Sequence, residues 1–347
     1  MTRMQVSLVT LGDPGTPTGG YLYHRRLADA AAAHDAAVRF VSFPDYPFPL
    51  PALFGRRVLA DAAAADVVVI DSIVTAFAAP WLRDVPRPLV GMLHQGPGGI
   101  DHGRLRTHAQ AALDRHAYRR LEVLLVASES LHGDLSSLHD DVRVVAPGRD
   151  VASRPEPSRL DLRRGRQTAL LCVANWVPRK GIVELLRAFS LLPASAATLH
   201  LVGDTERQPR YARRVRDAVE RLGNRVAVHG VVPKERVAAL YRDADVFVMP
   251  SYVEPYGTVY AEAMAAGLPV VGWRSGNLPY LADHEREALI VPRGDVAALA
   301  AALRRLAEDE ALRAAMGAAA RRRADGFPTW EVSAARFFSI LRTLAGR

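Results

Sequence analysis

Cysteine is almost absent from this chain of 347 residues, where Cys172 stands alone. That excludes a disulfide framework and a thiolate metal cage, which both need several cysteines at defined spacings. Lysine is nearly missing too: Lys180 and Lys234 stand against 43 arginines. Where arginine fills almost every basic position, a lysine marks a place that wants a compact point charge. No apolar run approaches the roughly 18–20 residues of a membrane span, so stable membrane insertion is not expected. Residues 1–11 hold a short apolar stretch without a small-residue cleavage site and read as a first strand rather than a signal peptide. A Gly-x4-Gly-Lys-Ser/Thr loop is missing, and so is Gly-x-Gly-x-x-Gly after a first strand, which removes the main feature of kinase and dehydrogenase readings. The expectation is a soluble, cytoplasmic protein.

The composition, 49% apolar and 24% charged, is that of a globular protein long enough for two domains. The net charge of +8 is uneven: residues 1–150 carry 15 arginines and 16 acidic residues, so the excess lies beyond them. It gathers at residues 154–166 and at Arg321, Arg322 and Arg323, with no aromatic side chains interleaved. Such runs fit a solvated linker and an exposed helix face, and nucleic acid is not an expected partner.

Apolar runs at 4–11, 38–43, 66–71, 88–94, 123–128 and 142–146 read as strands, separated by alanine-rich helical stretches at 21–33, 53–65 and 104–121. Near-continuous apolar strands alternating with helices predict a parallel sheet covered on both faces. The proline-rich stretch 43–51 reads as a loop. Residues 147–167 are rich in Pro, Gly and Arg, and a linker is expected at 151–166. The alternation restarts with strands at 168–173, 198–202, 225–229, 245–249, 269–273 and 288–291 and helices at 182–192, 211–222, 234–242 and 258–266. Beyond Gly294 everything reads as helix. The expected fold is α/β with two Rossmann-like, doubly wound parallel-sheet domains, at 1–150 and 167–328, facing each other across a cleft. Ligands bind outside the carboxyl ends of strands in such sheets, which predicts a site in that cleft.

The most informative segment is PSYVEPYGTVYAEAMAAGLPVV, starting at Pro250. Pro255 forces Glu254 into an extended conformation in a strand-to-helix loop. Gly257 permits a tight turn, and Thr258 is expected to cap the following helix. The N–H groups of Gly257, Thr258 and Val259 then point out of a helix N-terminus, a ready anion site. Glu262, one turn further on, can accept both hydrogens of a cis-diol such as a ribose. Its apolar neighbours make an unpaired carboxylate there costly.

This Glu-x7-Glu segment resembles the signature of glycosyltransferase family 4, retaining enzymes of the GT-B fold. The resemblance continues in CVANWVPRKGIVELLRAF, LHLVGDTERQP, RVAVHGVVPKERVAALYRDADVFVMPS and LIVPRGDVAALAAALRRLAED. It is looser in PGTPTGGYLYHRRLADA and GMLHQGPGG. It implies a metal-independent, hexosyltransferase-type enzyme that needs no cofactor. Such an enzyme moves a sugar from a nucleotide-diphosphate donor, UDP first and GDP next, to a small-molecule, lipid-linked or glycan hydroxyl. Position by position, Glu254 would meet the donor sugar, Lys180 the diphosphate, and Glu262 the ribose. Gly257, Thr258, Val259 and Tyr256 would line the donor site, and the turn at Val231 would lie against the base. His94 would face the sugar from the first domain, with Gly19 and Gly20 near the reaction centre. The last helix, at about 329–347, resembles the family's crossover back to the first domain.

The chain departs from the pattern at two places. Asn175 stands where the family commonly has arginine, so that phosphate contact is missing, replaced by the amide, or supplied by Arg179, and Tyr280 stands where an acid is frequent. A GT-B epimerase and a non-catalytic nucleotide-sugar-binding protein are the alternatives. Asp101 and His102, after the glycine-rich loop that follows His94, are candidates to meet the acceptor. Asp243-Ala244-Asp245 spells a metal motif of another fold, but it closes a helix and opens a strand, so no metal is expected there.

Overall fold

The computed structural model describes residues 3–16, 19–85, 88–149 and 160–346. The chain divides into two compact units, Met1–Asp150 with Pro328–Arg347, and Val151–Phe327.

The first unit has six parallel strands: β1 (Met4–Leu11), β2 (Ala36–Phe43), β3 (Val67–Asp71), β4 (Leu89–Leu93), β5 (Val123–Val126) and β6 (Val142–Val144). Every residue of β3, β4 and β5 is buried, as a sheet covered on both faces requires. Helices α1 (Gly19–Ala30), α2 (Gly55–Ala62), α3 (Thr75–Ala78), α4 (Arg104–Tyr118) and α5 (Glu129–Leu135) connect them. The helix read from residue 53 starts instead at Gly55, because Pro49 and Pro51 hold Leu50–Phe54 in a tighter 3₁₀ turn. The strand order is β2-β1-β3-β4-β5-β6, so the winding reverses between β1 and β3.

The second unit repeats the plan with β7 (Thr168–Val173), β8 (Ala197–Val202), β9 (Val226–Gly230), β10 (Val246–Val248), β11 (Val270–Trp273) and β12 (Ala288–Val291). Its helices are α6 (Ile182–Ser190), α7 (Pro209–Leu222), α8 (Lys234–Asp243), α9 (Thr258–Ala265), α10 (Leu278–Leu281), α11 (Val296–Glu308) and α12 (Glu310–Asp325). The order β12-β11-β10-β7-β8-β9 puts the reversal between β7 and β10. Trp176, Phe189, Phe247, Tyr260 and Trp273 fill its core, and Cys172 lies among them. Burial pushes the Cys172 thiol up to about 12, so it stays a protonated, inert core group.

Of the expected linker, residues 151–159 lie outside the described residues, and 160–166 pack on the second unit. Leu162 is buried, and its carbonyl accepts from Thr198 Oγ1 at 2.7 Å and His200 Nε2 at 2.8 Å. Arg163 grips both oxygens of Asp245, at 2.9 and 2.6 Å. That clasp, with the Ala169 N–H at 2.7 Å, engages one carboxylate of the Asp-x-Asp.

The last helix, α13 (Trp330–Ala345), belongs to the first unit. Phe337, Phe338 and Leu341 are buried with Leu8, Leu27 and Val69, an apolar stripe meeting the helix-covered sheet. Gly148 lets the chain pass, since a Cβ there would fall 2.3 Å from the Trp330 nitrogen. Ser333 Oγ donates to the Ala146 carbonyl at 2.7 Å.

Candidate functional site

In open α/β sheets, ligands gather where the winding reverses, at the carboxyl ends of the strands. Both reversals in this protein carry clustered polar side chains.

In the second unit the loops after β7 and β10 touch backbone to backbone. Pro178–Lys180 form a 3₁₀ turn that ends on Gly181 at φ 67°, where a Cβ would sit 2.1 Å from the Pro250 carbonyl oxygen. Only glycine fits that approach. The Arg179 carbonyl accepts from Tyr252 N at 2.6 Å and Ser251 Oγ at 3.0 Å. This stitching brings the Lys180 ammonium onto Glu254 Oε2, with Arg179 Nη1 3.9 Å from the same oxygen. The paired side chains keep only 11% and 13% of their surface exposed. From the other side, Asn277 N donates to the Glu254 carbonyl at 3.0 Å and Asn277 Nδ2 to that of Tyr256 at 2.9 Å. Gly276, at φ 54°, makes room where a Cβ would lie 2.3 Å from the Glu254 oxygen. Glu254 is therefore fixed by backbone contacts on both sides, and its carboxylate by a cation.

Helix α9 opens beside this pair. Its N-cap is Gly257, at φ 83°, and Thr258 is the first helical residue with an exposed side chain, so the expected threonine cap does not form. The positive φ puts the turn one residue earlier than a side-chain cap would. The first-turn N–H groups of Thr258 and Val259 have no partner within the helix and suit an anion. Glu262 is exposed on α9 while Ala261, Ala263 and Met264 are buried, so the cost expected from its apolar neighbours does not arise. Its charge is felt nearby: with burial, it pushes the Tyr256 phenol up to about 12 and raises Tyr241 further.

Asn175 Oδ1 accepts from Asp204 N at 3.0 Å, so the amide fastens the loop after β8 to the loop after β7. Val231 is 77% exposed, just past Gly230 at φ 67°. Tyr280 is also exposed.

In the first unit, His94 follows β4 and meets His24 of α1, Nε2 to Nε2, at 2.8 Å. His24 Nδ1 faces Asp71 Oδ2, at the end of β3, at 3.6 Å. Burial pulls His24 down to about 3 and His94 to about 4, so both rings are neutral at pH 7. Among the described residues, these three could bring ligand atoms within 4.8 Å of one another for a metal, but the two Nε2 atoms already engage each other. Gly19 and Gly20 open α1, and a Cβ on Gly20 would lie 3.7 Å from His94 Cδ2. Asp101, at φ 65°, and His102 lie at the head of α4. The glycine loop before them is held by Asp114 Oδ2, which accepts from Gly98 N at 2.8 Å.

The structure thus groups Lys180, Arg179, Glu254, Tyr256 and Gly257, and separately His94 with Gly20. Sequence reasoning missed His24 and Asp71. Asp71 carried a faint signal as the one charged residue ending the run Val67–Asp71. His24 carried one by lying a helical turn beyond Gly20.

Residues 156–323 match the family glycosyl transferases group 1. A D-inositol 3-phosphate glycosyltransferase of Corynebacterium jeikeium is 31% identical over 242 residues, 64% of this chain and 58% of that protein. A GDP-mannose-dependent alpha-(1-6)-phosphatidylinositol monomannoside mannosyltransferase of Mycobacterium tuberculosis is 32% identical over 205 residues, 54% of this chain and 52% of that protein. The aligned stretch spans little more than half of either relative. Among solved structures, sucrose-phosphate synthase from Thermosynechococcus elongatus is 24% identical with a TM-score of 0.83, covering 99% of this chain and all of that one. That likeness, with the two parallel six-stranded sheets, identifies the fold as GT-B.

Proposed function

We propose that the chain is a retaining glycosyltransferase using a nucleotide-diphosphate sugar, a reading supported by the match of residues 156–323 to the glycosyl transferases group 1 and by the resemblance of the Glu-x7-Glu segment to the family 4 signature. The observation that carries this reading is the meeting of Lys180, Arg179 and Glu254 at the reversal of the second sheet, beside the opening of α9. Together they offer a cation, partnerless N–H groups and a carboxylate, which suit a diphosphate with a sugar attached.

In the proposed reaction the bond from the anomeric carbon to the diphosphate oxygen breaks. The acceptor oxygen bonds to that carbon on the same face, and its proton passes to the departing phosphate. Lys180 and the first turn of α9 stabilise the charge that grows on the leaving group. Glu254 orients the sugar hydroxyls, and the exposed Glu262 holds the ribose. Most of the catalysis is then positioning and electrostatics. No metal ion is required, since the cation and the helix N-terminus supply the positive potential.

UDP-sugars come first among donors. GDP-mannose is next, being named for the mycobacterial relative. The relatives' names also point to inositol phosphates and phosphatidylinositol mannosides as acceptors to try.

The test combines thermal shift with product analysis. A nucleoside diphosphate at about 100 times its dissociation constant should stabilise the fold by about 2.7 kcal/mol. Transfer should proceed in EDTA, and the product's anomeric proton should report the donor's configuration. An inverted product would overturn retention, and no response to any uridine or guanosine diphosphate would overturn the donor class.

A further inference from the structure

Asp71, His24 and His94 form a chain of polar groups whose proton positions follow from their neighbours. Asp71 Oδ1 accepts from Ile73 N and Ser72 Oγ, both at 3.2 Å, and Oδ2 from Thr10 Oγ1 at 3.1 Å. Burial raises the Asp71 carboxyl, against the hydrogen bonds from Ile73, Thr10 and Ser72 that lower it, and three donors on one carboxyl fit the ionised, acceptor-only form. His24 is fully buried, and its Nδ1, with no hydrogen-bond partner, faces Oδ2 at 3.6 Å. A carboxylate at that distance favours the proton on Nδ1, which leaves a lone pair on Nε2. The 2.8 Å contact between the two Nε2 atoms then needs the proton of His94. His94 Nδ1 is left as an acceptor. The ring is held in place by His94 N donating to Ser72 Oγ at 3.2 Å and by Tyr23 packed edge-on at 5.1 Å.

We propose that Asp71 and His24 are positioning residues that lock His94 in the tautomer whose Nδ1 accepts a hydrogen bond, so that His94 receives a hydroxyl of the sugar donor or of the acceptor. The proposal rests on the glycosyltransferase reading for the identity of that hydroxyl; the tautomer itself does not depend on it. A neutral acceptor suits a polyol, and both rings are neutral at pH 7 while the Asp71 carboxylate lies buried behind them. It also explains why an aspartate and a second imidazole are buried behind His94.

Asp71→Asn gives the sharpest test, because the fold dictates how the amide must sit. The Ile73 N–H requires an oxygen at the Oδ1 position, so the amide nitrogen takes the Oδ2 position, 3.1 Å from Thr10 Oγ1 and 3.6 Å from His24 Nδ1, and its N–H groups disfavour a proton on that Nδ1. His24 must then carry its proton on Nε2 and give it to His94 Nε2, which moves the His94 proton to Nδ1. Nitrogen-15 spectra of the full chain, with His94 assigned by its loss in His94→Gln, should show a protonated Nε2 in the native protein and a protonated Nδ1 in Asp71→Asn. Turnover in the variant should fall on the order of 10²-fold, while binding of the bare nucleoside diphosphate holds. A rise in the donor-sugar KM identifies the donor hydroxyl, and a rise in the acceptor KM identifies the acceptor's.

His24→Gln is the second variant. Its amide can donate or accept, so both His94 tautomers should be populated. A native His94 protonated on Nδ1 would overturn the proposal. So would a single unchanged tautomer in His24→Gln, or a flipped tautomer in Asp71→Asn with turnover changed by less than about threefold. If no donor supports transfer, the enzymatic reading fails by itself, and the spectra still decide the tautomer.

Discussion

At the reversal of the second sheet, an ammonium and a carboxylate lie against each other with about a tenth of their surface exposed. At the reversal of the first, a carboxylate and two imidazoles are stacked inward, and both rings are held neutral. The sheets share one winding plan, yet one end presents charge and the other conceals it. The difference fits what we propose that each end binds. A diphosphate needs positive potential, and a charged pair that can exchange partners supplies it without a new desolvation cost when the anion arrives. A sugar hydroxyl needs a directed donor or acceptor, and a neutral imidazole of fixed tautomer supplies that. A charge on the His94 ring itself would bring water with it and blur that direction.

The largest effect should come from breaking the charged end. Lys180→Ala removes the cation that we propose meets the leaving group, and it should cut turnover by about 10²-fold or more, with weaker diphosphate binding as well. Glu254→Ala should cost turnover similarly yet leave binding of the bare nucleoside diphosphate nearly intact, since that ligand lacks the sugar. Calorimetry of diphosphate binding beside steady-state transfer separates the two. If Glu254→Ala abolished diphosphate binding and spared the rate at saturating donor, the carboxylate would belong to the nucleotide and the contrast between the ends would collapse.

A smaller effect tests how far the neutral character of the first unit extends. Asp114, 1% exposed, is pushed up to about 6, chiefly by burial. A raised folded-state pKa favours the protonated form, so its contribution is full below pH 3.8 and is lost as pH rises through 6. The shift of about two units corresponds to about 3 kcal/mol. Asp114→Asn should therefore raise stability at pH 7 by up to that amount and change it little at pH 4, as read from urea midpoints. His24 and His94 act in the opposite sense: their lowered pKa values give stability above pH 6.5 that is lost as pH falls toward 4 and 3. An Asp114→Asn protein no more stable than the parent at pH 7 would mean that the carboxylate is ionised at no cost.

Apolar runs made the strands readable, because a parallel sheet covered on both faces writes burial into consecutive residues. The charged end was readable for a related reason. Glu254, Gly257 and Glu262 fall within one loop and helix, and Lys180 was conspicuous in a chain of arginines. The neutral end was not. Residues 24, 71 and 94 come together only through the order β1-β3-β4, which no local pattern records. Exposure misled in a different way: Glu262 sits among buried neighbours in sequence, but α9 turns it to the open side. Thr258 looked like a cap because the rule for caps concerns side chains, and here a glycine at positive φ takes that place.

Glu262 supplies the finest test of the comparison. Its carboxylate is exposed, so it carries no burial cost for a ligand to relieve, and removing it leaves no hole in the core. A contact with a ribose diol exists equally in the ground and transition states, so losing it should raise the donor KM with little change in turnover. Glu262→Ala should weaken diphosphate binding by about tenfold, which is 1.4 kcal/mol. Glu262→Gln keeps one acceptor oxygen and should fall between the two. The phenols of Tyr241 and Tyr256 add a readout free of catalysis, since the carboxylate helps to hold both above their ordinary range. Tyrosine titration of Glu262→Ala, followed by ultraviolet difference absorbance, should show the Tyr256 phenol ionising earlier than the native value of about 12. A mutant with native binding, a native KM and turnover reduced in line with Glu254→Ala would place Glu262 at the reacting sugar instead. The second switch point would then hold two carboxylates on the chemistry and none on the nucleotide.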